Sequence, residues 1–413
     1  MEKRRAPKLR FQGLTDDWEQ RKLRDIVKEI KRNDPNSSAP IMMITANDGF
    51  INQSERYSTD NAGKSLQKYI LLQRGELAYN HGASKLRPYG SCFALIDEEN
   101  ARIPYVYHCF SCGNENPEFL SLVLNSKAVE QQLRRLVSSG ARMDGLLNIS
   151  FDDYTSIPIM IPNRNEQKQI ADYIHTLNGL ITLHQRKYDM LQKVKKSMLE
   201  KMFPKNGSKV PEIRFAGFTD DWEQRKLGDV VQRITRKNEN MESSLPLTIS
   251  AQYGLIDQNE FFDKRIASKD VSDYYLVYRG EFAYNKSTST DAPWGAIKRL
   301  DRYEKGVLST LYIVFRIQNE EETDSDYLVS YYDTELWHNG VQAIAAEGAR
   351  NHGLLNIAPN DFFETNLLMP ESVNEQRMIG TFFKKLDHLI TLHQRKLEKL
   401  KKLKKSMLEE MFV

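Results

Sequence analysis

Residues 165–203 (NEQKQIADYIHTLNGLITLHQRKYDMLQKVKKSMLEKMF) restrict the possible folds more than any other stretch of this chain. Apolar side chains recur at Ile170, Ile174, Leu177, Ile181, Tyr188, Leu191, Val194, Met198 and Met202. Steps of mostly three and four residues place them on one face of a helix, with a seam like that of a coiled coil. No proline interrupts the run before Pro204. At ~1.5 Å per residue the predicted helix is roughly 58 Å long. Alone it has nowhere to bury its stripe, so it needs a partner helix.

The partner lies in the same chain. Residues 374–412 repeat the pattern, with LITLHQRK of 180–187 recurring at 389–396 and KKSMLE of 195–200 at 404–409. Their seam reads Ile379, Phe383, Leu386, Ile390, Leu397, Leu400, Leu403, Met407 and Met411. Ile174, Leu177, Ile181, Tyr188, Leu191 and Met198 of the first helix, with Phe383, Leu386, Ile390, Leu397, Leu400 and Met407 of the second, are expected to pair the helices or dock a partner. A pair of helices that only braces the fold is the plainer reading. His184 and His393 fall on the seam as interfacial histidines.

A chain of 413 residues accommodates two or three domains with cores of their own. The net charge of +3 says little about a polyanionic partner. The distribution says more, because Lys193, Lys195, Lys196, Lys399, Lys401, Lys402, Lys404 and Lys405 crowd toward the helix ends. They form either a solvated face or a phosphate-facing surface. Neither a signal peptide nor an apolar run long enough for a bilayer is expected. Cys92, Cys109 and Cys112 fit a reducing cytoplasm better than a disulfide scaffold.

The rest of the chain is duplicated too. PKLRFQGLTDDWEQRKLRDIV (7–27) returns as PEIRFAGFTDDWEQRKLGDVV (211–231). Trp18 and Trp222 are expected to anchor small cores, and Thr15 and Thr219 to be turn or helix-cap residues. The diverged stretches 28–70 and 232–275 read as short strands and turns. The copies reconverge at LLQRGELAYN (71–80) and LVYRGEFAYN (276–285), each an Arg-Gly turn followed by a strand. Two polar loops follow, HGASKLR (81–87) and KSTSTDA (286–292), each closed by Pro-aromatic-Gly. Helix-like segments (117–137 and 326–344), GARMDGLLNIS (140–150) or GARNHGLLNIA (348–358), and a terminal strand lead into each long helix at Asn-Glu-Gln.

The predicted plan is α+β, two similar α/β domains separated by two long antiparallel helices in a pseudo-two-fold circular arrangement. Its parts are a first domain over 1–164, a helix over 165–203, a hinge over 204–210, a second domain over 211–373 and a helix over 374–413.

A search for catalytic constellations returns little. Gly63-Lys64-Ser65 resembles the end of a phosphate-binding loop, but Ser58 stands where its first glycine belongs. Cys109-Phe-Ser-Cys112 beside His108 invites zinc, yet no second ligand pair follows and the second copy has strand-like Val314 to Ile317 there. No metal and no bound cofactor is expected.

What is left is a duplicated reader. Two similar frameworks with different polar loops present two recognition surfaces, which on duplex DNA means two different half-sites. The side chains suited to base edges and phosphates are Asn80, His81, Ser84, Lys85, Arg87 and Tyr89 in the first copy. In the second they are Asn285, Lys286, Ser287, Thr288, Ser289, Thr290 and Trp294.

The paired openings RFQGLTDDWEQRKLRD and RFAGFTDDWEQRKLGD, the RGEFAYNKSTSTDAPWGAIK segment, the GAR…GLLNI motif and the NEQ…LITLHQRK helices resemble type I restriction–modification specificity subunits. The likeness covers essentially the whole chain. The first copy departs at Leu14, Arg24 and the HGASKLR loop. The resemblance implies two target-recognition domains, each reading one half of an asymmetric bipartite DNA site, with the helices as ruler. It implies docking of two methyltransferase subunits that carry S-adenosylmethionine. Nuclease subunits using ATP and Mg complete the complex in the cytoplasm, and this chain is non-catalytic. A fused restriction or methylation enzyme, and a coiled-coil adaptor that binds only protein, are the competing readings.

Overall fold

Two helices of unusual length, Arg164–Met202 and Val373–Glu410, organise the chain. Asn163 starts the first, its Oδ1 accepting from the Glu166 N–H at 3.0 Å, and Phe203-Pro204 ends it. The computed structural model describes residues 7–46, 48–56, 63–137, 146–205, 207–250, 253–264, 267–290, 292–345 and 353–412. The GAR triplets of the two GAR…GLLNI motifs and residue 206 of the expected hinge lie outside them, as does Ser58.

The chain divides into two compact units, Met1–Gln185 with Arg395–Val413, and Arg186–Gln394. Both boundaries fall inside the long helices, so each unit holds a segment of both.

In the first unit a four-stranded antiparallel sheet runs in the order Lys28–Glu29, His108–Ser111, Leu77–Asn80, Ser91–Ala94. Three two-stranded ribbons surround it: Glu19–Lys22 with Pro158–Ile161, Met42–Thr45 with Gly49–Asn52, and Ile70–Gln73 with Asn100–Ile103. The second unit repeats this topology. Its sheet runs Val231–Ile234, Ile313–Ile317, Phe282–Asn285, Ala296–Arg299, and its ribbons are Glu223–Lys226 with Asn366–Met369, Leu247–Ser250 with Gly254–Asp257, and Tyr275–Tyr278 with Lys305–Leu308. The fold is α+β.

The shared motifs occupy matching places. EQRK of TDDWEQRKL is the ribbon strand, preceded by the buried Trp18 or Trp222 and followed by the buried Leu23 or Leu227. A fully buried tryptophan withdraws about 200 Å² from water, worth roughly 5 kcal/mol as an upper figure. No helix starts at Thr15 or Thr219, so neither is a helix cap. The Arg-Gly turns need their glycines in the left-handed region, with φ of 84° at Gly75 and 88° at Gly280.

Each helix-like segment is two helices, not one. Pro117–Leu124 gives way to Lys127–Leu136, and Ser325–Tyr332 to His338–Ile344. In the first unit local capping explains the break. The Asn125 amide turns back to the Ser121 carbonyl at 2.9 Å, and Ser126 Oγ caps the next helix by accepting from the Val129 N–H at 3.3 Å.

The seam is buried within each unit. Ile170, Ile174 and Leu177 are buried in the first, where Met411 closes the core that holds Trp18. In the second, Met202 and Phe203 join Ile379, Phe383 and Trp222 in one core. The start of one helix and the end of the other thus share a core, and the paired segments run in opposite senses. Leu386 and Leu397 are buried; Ile181, Tyr188, Leu191, Met198, Ile390, Leu400 and Met407 are half-buried, as are His184 and His393.

The Asn-Glu-Gln motif rivets each globular core to its helix. Glu166 accepts from Arg10 through Nε (2.8 Å) and Nη2 (2.6 Å), and Glu375 takes Arg214 in the same way at 2.6 and 2.8 Å. Gln167 Oε1 accepts from the N–H of Asn116, and Gln376 Oε1 from that of Asp324, the N-cap residues of Pro117–Leu124 and Ser325–Tyr332.

Candidate nucleic-acid interface

The polar loop of each unit leaves the sheet at the end of a central strand, Leu77–Asn80 or Phe282–Asn285, and returns as the edge strand. Asparagine begins both. Asn80 Oδ1 accepts from the Gly82 N–H (2.9 Å) and Asn285 Oδ1 from the Ser287 N–H (3.0 Å), folding the chain into an Asx turn. Asn80 Nδ2 also donates to the Ile44 carbonyl at 3.1 Å.

Pro-aromatic-Gly ends both loops as a clamp. The Tyr79 hydroxyl donates to the Tyr89 carbonyl (2.6 Å), and the Tyr284 hydroxyl to that of Trp294 (2.8 Å). Gly90 has φ of 81° and Gly295 of 79°. A Cβ at Gly90 would meet the Asn80 carbonyl oxygen at 2.6 Å, and one at Gly295 would strike that of Asn285. Only glycine fits. Tyr89 and Trp294 pack partly buried on their cores, which makes them supports of the loop.

A second segment braces each loop. Leu147 N–H donates to the His81 carbonyl (2.9 Å) and Leu355 N–H to that of Lys286 (3.0 Å), so the GLLNI stretch lies beside the loop. Thr288 bonds the Gly353 carbonyl through N–H (2.7 Å) and Oγ1 (3.0 Å). The duplicated GLLNI was visible in the sequence, but no local signal names its partner.

The structure therefore sorts the candidates. His81 is buried, with its ring 5.1 Å from that of His108 and 6.2 Å from that of Tyr79. Burial lowers the pKa of the His108 imidazole, which contacts the Ile149 carbonyl at 3.0 Å. Lys286 is half-buried, donates to the Ile357 carbonyl (3.3 Å), and has its pKa lowered by burial. Arg87 donates to the Asn125 carbonyl at 2.8 Å. Ser84 and Lys85 are exposed around a tip that carries Leu86, and Ser287, Ser289 and Thr290 are exposed in the second loop. These are the candidates whose side chains face outward.

Beside the second loop a groove of about 1470 Å³ runs along the long helices. Trp294 and Tyr253 line it, and the Tyr253 hydroxyl accepts from Gln394 at 2.9 Å. At its floor Lys195 donates to Asp333 (2.7 Å) and Asp387 (2.6 Å), and Lys298 to Asp333 (2.6 Å). Burial would raise the Asp333 pKa, but the two lysines outweigh it and hold the carboxyl down at about 2. At Asp387 burial prevails over Lys195 and raises the pKa.

The cysteines point elsewhere. Cys109 belongs to an apolar core with Ile30 and Leu72, and Cys112 to the one around Trp18. Among the described residues no group of three His, Cys, Asp or Glu side chains could hold a metal ion. Gly63–Lys68 is a 3-10 turn. Among the described residues no helix is long and apolar enough to cross a membrane.

Residues 15–193 match the family model of the type I restriction modification DNA specificity domain. A protein of Methanocaldococcus jannaschii assigned as the type I restriction enzyme MjaX specificity subunit is 22% identical over 437 residues, spanning 96% of this chain and 92% of that protein. The HindI specificity subunit of Haemophilus influenzae is 25% identical over 195 residues, 45% of this chain and 41% of its own. The crystal structure of the type I restriction-modification S subunit from M. genitalium shares the fold, with a TM-score of 0.60 at 14% identity and 99% of each chain covered. Residues 15–193 thus match a type I restriction modification DNA specificity domain, and nearly the whole chain is similar in sequence to one such specificity subunit.

Proposed function

We propose that each unit reads one half of an asymmetric, bipartite DNA target and that the long helices set the gap between the halves. One observation carries this reading: the same strand, Asx turn and aromatic clamp present Ser84 and Lys85 in one copy but Ser287, Ser289 and Thr290 in the other. A constant frame with changed donors is what two different base sequences require. The chain contributes specificity and no catalysis. Its partners are duplex DNA, two methyltransferase subunits bearing S-adenosylmethionine, docked along the long helices, and ATP- and Mg-dependent restriction subunits. It works in the cytoplasm.

The test is a genome-wide map of N6-methyladenine in cells carrying this chain with its methyltransferase subunit. A single gapped motif should appear and vanish when this chain is deleted. Exchanging 286–290 for the loop of another specificity subunit should change one half of the motif only. Change in both halves defeats the two-reader assignment. Methylation indifferent to the deletion would favour a protein-only adaptor.

A further inference from the structure

We infer that the first unit binds a phosphate-class anion between Arg87 and Lys404, where the second unit neutralises itself with its own carboxylates. The identification of that anion as DNA backbone rests on the function proposed above; the site itself does not.

The comparison of the two units carries the inference. In the second unit Lys195, the first lysine of KKSMLE, is embraced by Asp333 and Asp387, and Lys298 completes a balanced set of two cations and two carboxylates. The same motif on the other long helix places Lys404 at the equivalent position of the first unit. There both carboxylates are gone. Asp333 is the C-cap residue of Ser325–Tyr332, and the C-cap residue of the matching helix Pro117–Leu124 is Asn125. Asp387 stands two residues before LITLHQRK, and Asn178 stands two residues before its copy. Lys298 pairs across the sheet with Ala283, and the matching partner of Ala78 is Phe93.

A second cation enters instead. Arg87 donates to the Asn125 carbonyl and therefore sits at the corner that Asp333 occupies in the other unit. Lys404 is half-buried, and its pKa is lowered by burial and by the charge of Arg87. Among the described residues it has no hydrogen bond or ion pair. Among the described residues, the acid that acts on Arg87 is Glu130. Glu409, nearby on the helix, is engaged by Lys127 at 2.6 Å. The Asn125 amide is occupied with Cys92 and Ser121. Two cations drawn together partly out of water are unfavourable unless an anion joins them. A guanidinium held at the Asn125 corner and an ammonium at the position equivalent to Lys195 suit a tetrahedral oxyanion. Exposed Lys401, Lys402 and Lys405 extend the positive field along the helix, as a polyanion requires.

Two variants of the full chain test this: Lys404→Met, and Asn178→Asp, which supplies the carboxylate that the second unit already has. Duplex DNA affinity is measured from low to physiological salt, and melting is followed in inorganic phosphate against chloride at equal ionic strength. Both variants should flatten the log affinity–log salt slope by about one. Asn178→Asp, on the helix surface, should also melt higher than the parent chain in chloride. If phosphate raises the melting temperature of the parent but of neither variant, while the slopes stay equal, the anion is free phosphate and not DNA backbone. Equal slopes together with no phosphate effect overturn the site. Failure of the parent chain to bind DNA at all would strike the proposed function, leaving the phosphate melt to decide the site by itself.

Discussion

Removing the buried carboxylate that rivets each core to its helix, by Glu166→Ala or Glu375→Ala, should be among the costliest single changes. Both side chains are 1% exposed, and each faces an arginine that is 12% exposed. Deleting one member of such a pair strands the other charge, at a cost of about 4 kcal/mol. The two sites differ in one bond. Glu166 Oε1 also accepts from Trp18 Nε1 at 3.2 Å, whereas Trp222 Nε1 has no acceptor among the described residues. Glu166→Ala should therefore cost about 1 kcal/mol more. With a urea m-value of roughly 2.5 kcal/mol/M, these losses move the midpoint by roughly 1.5–2 M. Fluorescence reads the first unit once Trp222, Trp294 and Trp337 are replaced by phenylalanine in the parent and variants alike, because Trp18 is the only tryptophan in its residues. Removing both partners, Arg10→Ala with Glu166→Ala, should cost less than the sum of the two single changes. A loss below about 1 kcal/mol, or strictly additive single changes, would refute the argument from stranded charge.

The loop clamps give a second prediction: Gly90→Ala and Gly295→Ala should each lower thermal stability by several degrees, because the new Cβ meets a backbone oxygen at a left-handed φ. For pH, Asp333 has a folded pKa of about 2, below the ordinary value of about 3.9. Its contribution is complete above about pH 4 and is lost as pH falls toward 2, about 2.5 kcal/mol in all. Asp333→Asn should erase that part of the acid-unfolding curve, and an unchanged curve would show that the lysines do not act through this carboxyl. Burial pushes the Cys112 thiol up to about 11 and raises those of Cys92 and Cys109. Alkylation at pH 8 should leave all three unmodified in the folded chain and label them after unfolding; rapid labelling of the native protein contradicts the burial.

Much of the fold was legible in the sequence because it depends on local periodicity and on repetition. The stripe from Ile170 to Met202 required a long helix, its copy supplied the partner, and the Arg-Gly turns marked where strands begin. The break at Asn125-Ser126 was less visible, since a run of helix-forming residues hides a cap whose partners lie close by in the chain. The two polar loops leave their strands at Asn80 and Asn285, where the sequence places them. Which of their side chains face outward was not legible. His81 and Lys85 are equally polar in sequence, but one is buried among aromatic rings and the other exposed.

What the sequence determined by itself was the pattern: two long amphipathic helices, two copies of one scaffold, and loops that differ where the framework does not. These are properties of residues near one another in the chain. Tertiary structure decided the rest. It joined Arg10 to Glu166, Gln167 to Asn116, Leu147 to His81, and Lys195 to Asp333 and Asp387. Such pairs are distant in sequence, and a charge or amide shows no preference for its partner until packing excludes water and brings the two into contact.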